Sequence, residues 1–99
     1  MYIRTKDGRI LDFDKLNEVS KLSIDMAEEP IREANTIEEL CDRFVVIDKE
    51  TKEVVNIVSF LAYAVLWSSC KYNIYGAVWC EWGLKYVAKL DDKGELELI

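Results

Sequence analysis

Histidine is missing from the 99 residues, and the three cysteines, Cys41, Cys70 and Cys80, lie far apart. With no histidine and no cysteine pair at zinc-ligand spacing, neither a Cys/His metal site nor a histidine-based triad can be built within this chain. An odd number of thiols without a signal-peptide pattern predicts reduced cysteines in a cytoplasm. Glycine is scarce and scattered, four in all, so no glycine-rich phosphate loop is present. Positive charge is also in the minority, with 13 Lys and Arg against 19 Asp and Glu and a net charge of −6. No basic stripe of the kind that tracks a phosphate backbone is visible, which argues against direct nucleic-acid binding. An acidic surface keeps a protein soluble, and it also suits a basic protein surface such as one that normally holds nucleic acid. Linkers, repeats and low-complexity tracts are lacking too. Hydrophobic residues make up 51% and charged residues 32%, a balance that predicts one ordered domain over residues 1–99.

One long apolar stretch is present. Between residues 54 and 80 the only formal charge is Lys71, and residues 54–90 hold all three tryptophans and four of the five tyrosines. A membrane span is the first possibility to weigh. The uncharged run 54–70, as a helix rising roughly 1.5 Å per residue, reaches about 26 Å, short of the ~30 Å hydrocarbon core. Asn56, Ser59, Ser68 and Ser69 interrupt it, and Lys52 and Lys71 flank it. The pattern predicts a buried helix over 54–70, with Ile57, Val58, Leu61 and Val65 on one face. The β-branched start, 54–58, leaves a strand there as the alternative.

The rest of the chain divides at turn signals. Tyr2-Ile3-Arg4 and residues 9–13 flank Lys6-Asp7-Gly8, where Asp-Gly predicts a hairpin. Asp14 can cap a helix over 15–29 with Leu16, Val19, Leu22 and Met26 near one face. Leu22, Ile24 and Met26 also alternate with Ser23 and Asp25 as a strand would. Pro30 predicts the end of that element, and residues 31–34 a short strand. Thr36-Ile37-Glu38-Glu39 is a capping box opening a short helix whose stripe is Ile37, Leu40, Cys41 and Phe44. Residues 44–47 read as a buried strand. Residues 74–79 are apolar on both faces, as a central strand is. After a turn over 80–83, Leu84, Tyr86, Ala88 and Leu90 alternate with Lys85, Val87 and Lys89. Asp91-Asp92-Lys93-Gly94 turns the chain again toward Leu96 and Leu98, completing a meander. The fold class expected is α+β: an antiparallel sheet of five or six strands packed on the 54–70 helix, with a short capped helix at Thr36.

Few residues point to chemistry. Glu28-Glu29, Glu38-Glu39 and Asp91-Asp92 are adjacent carboxylates, but neighbours in a strand face opposite sides and neighbours in a helix stand about 100° apart. Adjacency therefore builds no catalytic dyad. Cys80 has no basic neighbour in sequence that would favour its thiolate, and the adjacent Glu81 would disfavour it, so an inert thiol is expected. Trp82 stands out, because an indole at a hairpin tip is hard to bury in its own sheet and aromatic anchors are common at interfaces. Trp67 and Trp79 sit in apolar settings and are expected in the core. The candidate protein-binding residues are Trp82, Glu81 and Tyr86 near the hairpin, together with the acids Glu38, Glu39 and Asp42. No catalytic, cofactor-binding or metal residue is proposed.

Three stretches resemble a family of small phage and prophage proteins of Gram-positive bacteria. They are MYIRTKDGRIL at 1–11, ANTIEELCDRFV at 34–45, and YGAVW followed by GLKYVAKLDDKGELELI within 75–99. The motifs cover about half the chain, in the family's order. Residues 12–31 and 49–73 match its variable segments, and Cys80-Glu81-Trp82 stands where the family more often has polar residues. The resemblance implies a phage or prophage origin, a Gram-positive host cytoplasm and an accessory role, without catalytic residues to carry over. The function expected is that of a non-enzymatic accessory protein binding a host or phage protein, for instance inhibiting a host defence or nucleic-acid enzyme through its acidic surface. The alternative is a structural or assembly protein forming a homo-oligomer through its Trp/Tyr-rich surface.

Overall fold

The computed structural model describes residues 1–26 and 30–99. Its first element is the expected hairpin. β1 (Tyr2–Arg4) pairs antiparallel with β2 (Ile10–Asp12), and Gly8 closes the turn at φ 80° with its N–H donating to the Thr5 carbonyl at 3.1 Å. β3 (Arg32–Ala34) lies antiparallel along the other side of β1, giving a three-stranded sheet of order β2-β1-β3.

Between β2 and β3 the chain departs from expectation. Asp14 does not cap the helix; its carboxylate pairs with the N-terminal ammonium at 2.6 Å. A 3-10 turn at Phe13–Lys15 comes first, and α1 (Glu18–Met26) opens only after Asn17. The Asn17 side-chain oxygen accepts the Ser20 N–H at 2.8 Å, so asparagine fills the cap position. The end of the helix expected over 15–29, with the Glu28-Glu29 pair, lies outside the described residues. Val19, Leu22 and Met26 of α1 all face solvent.

α2 (Ile37–Leu40) forms where the capping box predicts it. Thr36 Oγ1 accepts the Glu39 N–H at 3.3 Å, while the Glu39 carboxylate takes the Asn35 N–H at 3.3 Å in place of that of Thr36. Ile37 and Leu40 are buried, anchoring this single turn to the core.

The larger sheet is antiparallel throughout, in the order β5-β4-β6-β7-β8. Its strands are β4 (Arg43–Asp48), β5 (Val54–Val58), β6 (Tyr72–Cys80), β7 (Gly83–Leu90) and β8 (Leu96–Leu98). The α+β class and the C-terminal meander are as expected. The 54–70 helix is not. The Asp48 carboxylate accepts the Glu50 and Thr51 N–H groups at 2.8 and 3.1 Å and Lys52 adopts φ 63°, folding the chain back so that residues 54–58 pair with β4. Four β-branched side chains among those five residues favour the strand over a helix. Helix survives only as α3 (Leu61–Ala64), which has no side-chain cap at Phe60, and a 3-10 turn at Val65–Trp67.

Strand register assigns the two faces of the large sheet. Phe44, Val46, Ile74, Val78 and Ala88 point to one side, where they meet Ile37, Cys41 and Ala64 as the core. Burying each of the larger of these side chains contributes roughly 1.5–3 kcal/mol. The small sheet sits on this side as well, since a Cβ on Gly8 would approach Val78 Cγ2 at 3.1 Å and Lys85 Cδ at 3.3 Å. The clean alternation expected for residues 84–90 is broken by a bulge. Gly76 pairs with Ala88 and Ala77 with Tyr86, so Val87 is the extra residue and joins Ala88 in the core.

Candidate functional site

The hairpin tip between β6 and β7 is built by local sequence. Glu81 and Trp82 form its two-residue turn, and Gly83 follows at φ 106°, a left-handed geometry that glycine adopts without steric cost. The Cys80 thiol donates to the Gly83 carbonyl at 3.2 Å, bracing the turn. The indole of Trp82 is left 84% exposed, with Glu81 exposed beside it.

From the tip, aromatic residues continue along the face of the sheet turned away from the core. Trp79 pairs across the strands with Leu84, and Ala77 with Tyr86. The Tyr86 ring stacks on Tyr75 with centroids 5.2 Å apart and planes 22° apart, and the Lys89 ammonium lies 5.9 Å from the Tyr75 centroid. Val54 and Ile57 extend the same face onto β5 and are exposed. Trp79 was expected in the core and is instead 50% exposed, because register turns it to the face away from the core. Trp67 packs against the core's edge, edge-on to Tyr72 at 5.5 Å.

The six candidate residues do not form one site. Trp82, Glu81 and Tyr86 lie toward the tip. Glu38 lines a cleft of about 360 Å³ with Tyr2, Thr36, Leu61, Gly94 and Leu96, at the far end of β7. Eight residues of strand separate these ends by roughly 24 Å. Glu39 is exposed beside Glu38 and holds the Asn35 N–H. Asp42 belongs to the interior: Oδ1 forms an ion pair with Arg4 Nη1 at 3.0 Å and Oδ2 accepts the Trp79 N–H at 2.7 Å. Arg4 is 7% exposed, and its Nη1 also donates to the Leu40 carbonyl at 2.7 Å. The sequence carries no signal of this ion pair, since Arg4 appears there only as part of a short hairpin strand.

Groups with chemical potential are dispersed. All three thiols are free; Cys41 is buried, and burial, with the Asp42 charge next, pushes its pKa up to about 11. It is therefore a protonated, unreactive thiol at neutral pH. Among the described residues no three Cys, Asp or Glu groups converge as metal ligands, and no helix is long and apolar enough to cross a membrane. A polar cleft of about 750 Å³ is lined by Lys49, Lys52 and Lys89 together with Asp91, Asp92 and Glu97. No family model, curated protein or solved structure matches the chain.

Proposed function

We propose that this chain is a non-enzymatic protein-binding module that engages its partner through the Trp82 hairpin tip. The observation that carries the reading is the 84% exposure of Trp82 on a two-residue turn braced by Gly83 and Cys80. An indole held rigidly in solvent costs little conformational entropy to dock and offers a large apolar contact. Glu81 beside it supplies the charge that would orient a basic partner. The three motif stretches at 1–11, 34–45 and 75–99 support placing this module among phage or prophage accessory proteins acting in a Gram-positive host cytoplasm. The partner is then a host or phage protein, with inhibition of a defence or nucleic-acid enzyme as one outcome of binding.

The test is affinity capture from a Gram-positive lysate with the wild type and Trp82→Ala side by side. Removal of an exposed side chain leaves the fold intact by circular dichroism, and the partner recovered by the wild type is expected to be lost. Identical partners from both proteins would remove Trp82 as an anchor.

A further inference from the structure

α2, α3 and the small sheet all meet the core face. From α1 the Lys21 ammonium reaches back to the Phe13 ring just after β2, 5.1 Å from its centroid. On the opposite face Val54, Ile57, Trp79 and Tyr86 are exposed and Tyr75 and Leu84 half-buried, while Val45 and Ala77 among them are buried. An antiparallel sheet that keeps one face in water alternates apolar-in with polar-out, and this one does not.

We propose that a second copy of the chain covers this face, the two sheets packing as a sandwich about 10 Å apart. Size supports it. Five strands at ~4.8 Å spacing, up to nine residues long at ~3.3 Å each, make a face of roughly 20 by 25 Å. With side chains standing on it, such a face approaches the ~800 Å² per partner of a standard stable interface. Charge selects the occupant. The molecule carries −6, yet among the described residues the charged ones that register places on this face are Arg43, Lys89 and Glu97. A basic partner drawn by the overall field finds a face that is net positive, whereas a second copy meets no cluster of like acids. A twofold interface needs one patch complementary to itself, and Lys89 and Glu97, cross-strand neighbours, supply both signs. The Tyr75–Tyr86 stack gives it rigid aromatic anchors. The Trp82 tips stay outside this interface, one on each copy.

Light scattering on the full chain after size exclusion tests the proposal across a concentration series. The wild type is expected at twice the 11.5 kDa chain mass. The double variant Ile57→Lys/Tyr86→Lys, at positions already open to solvent, is expected at the monomer mass with an unchanged circular dichroism spectrum. Leu22→Lys, on the exposed side of α1, is expected to remain dimeric. If the double variant fails to fold, Ile57→Lys alone is expected to weaken dimerisation at least tenfold. A monomeric wild type at every concentration overturns the proposal, as does a dimer that survives both sheet-face variants. Mass is the readout here and partner capture is the readout for Trp82, so either idea can fail alone.

Discussion

Arg4 is one cation set where three elements meet, and its position explains why the small sheet stays attached to the large one. Its guanidinium reaches the last carbonyl of α2 at Leu40 and the Asp42 carboxylate, which in turn holds the Trp79 N–H of β6. Both partners are mostly withdrawn from water, and the Arg4 Nε has no hydrogen-bond partner among the described residues. Breaking a buried pair by removing one member typically costs about 3–5 kcal/mol, because the remaining charge is left without compensation. Arg4→Ala is therefore expected to lower the free energy of unfolding by roughly 3 kcal/mol in denaturant titrations. A loss under ~1 kcal/mol, the size of a surface ion pair, would show that the contact is peripheral. Nothing in the sequence announced this role, since Arg4 and Asp42 lie far apart in the chain and meet only through the fold. Cys41 was legible by contrast: its place in the stripe Ile37, Leu40, Cys41, Phe44 predicted a packed thiol, and it is buried.

At the scale of elements, legibility followed whether local signals agreed with one another. The Thr36 cap, the Asp-Gly hairpin and the C-terminal meander each rest on turn chemistry that leaves one solution, and all three formed. Residues 54–70 carried two signals, β-branched at the start and helix-favouring after Phe60, and the chain followed both in succession. What decided the start was the partner strand: β4 is buried and offers its free side to β5, a long-range fact that no local pattern contains. The same holds for Gly76, read only as part of an apolar run. It faces Cys41 across the sheet–helix contact, where a Cβ would stand 2.6 Å from the Cys41 sulfur. Gly76→Ala is expected to destabilise the fold by about 1–3 kcal/mol, the usual cost of overpacking. In a Cys41→Ala background the offending sulfur is gone, and the nearest remaining atom is the Ala88 Cβ at 3.4 Å. The cost of Gly76→Ala should then fall by at least ~1 kcal/mol in a double-mutant cycle, and strict additivity would rule out the contact as its cause.

For the whole molecule, the α+β class could be read from the chain, but the distribution of its surfaces could not. Residues 74–79, apolar on both faces, read as a central strand, and β6 is the middle of the five; what the pattern did not carry is that on the face away from the core Ala77 is buried while Trp79 is half exposed. The acidic candidates likewise looked equivalent in sequence and prove to be three different things. Asp42 neutralises Arg4 and is structural. Glu38 and Glu39 sit at the far end of β7 from the tip, roughly 24 Å away along the strand. That exceeds the ~8 Å screening length at physiological salt several-fold. Only Glu81 adjoins Trp82. Charge reversal therefore separates them when partner capture is measured by surface plasmon resonance at two salt concentrations. Glu81→Lys is expected to slow association with a basic partner and to flatten its salt dependence, because rim charges act chiefly on the on-rate. Glu38→Lys with Glu39→Lys is expected to leave association within about twofold at physiological salt, since screening isolates the two ends. If the Glu38/Glu39 pair slows association and Glu81→Lys does not, the partner docks at the α2 end of the molecule, and the hairpin tip loses its claim to be the binding site.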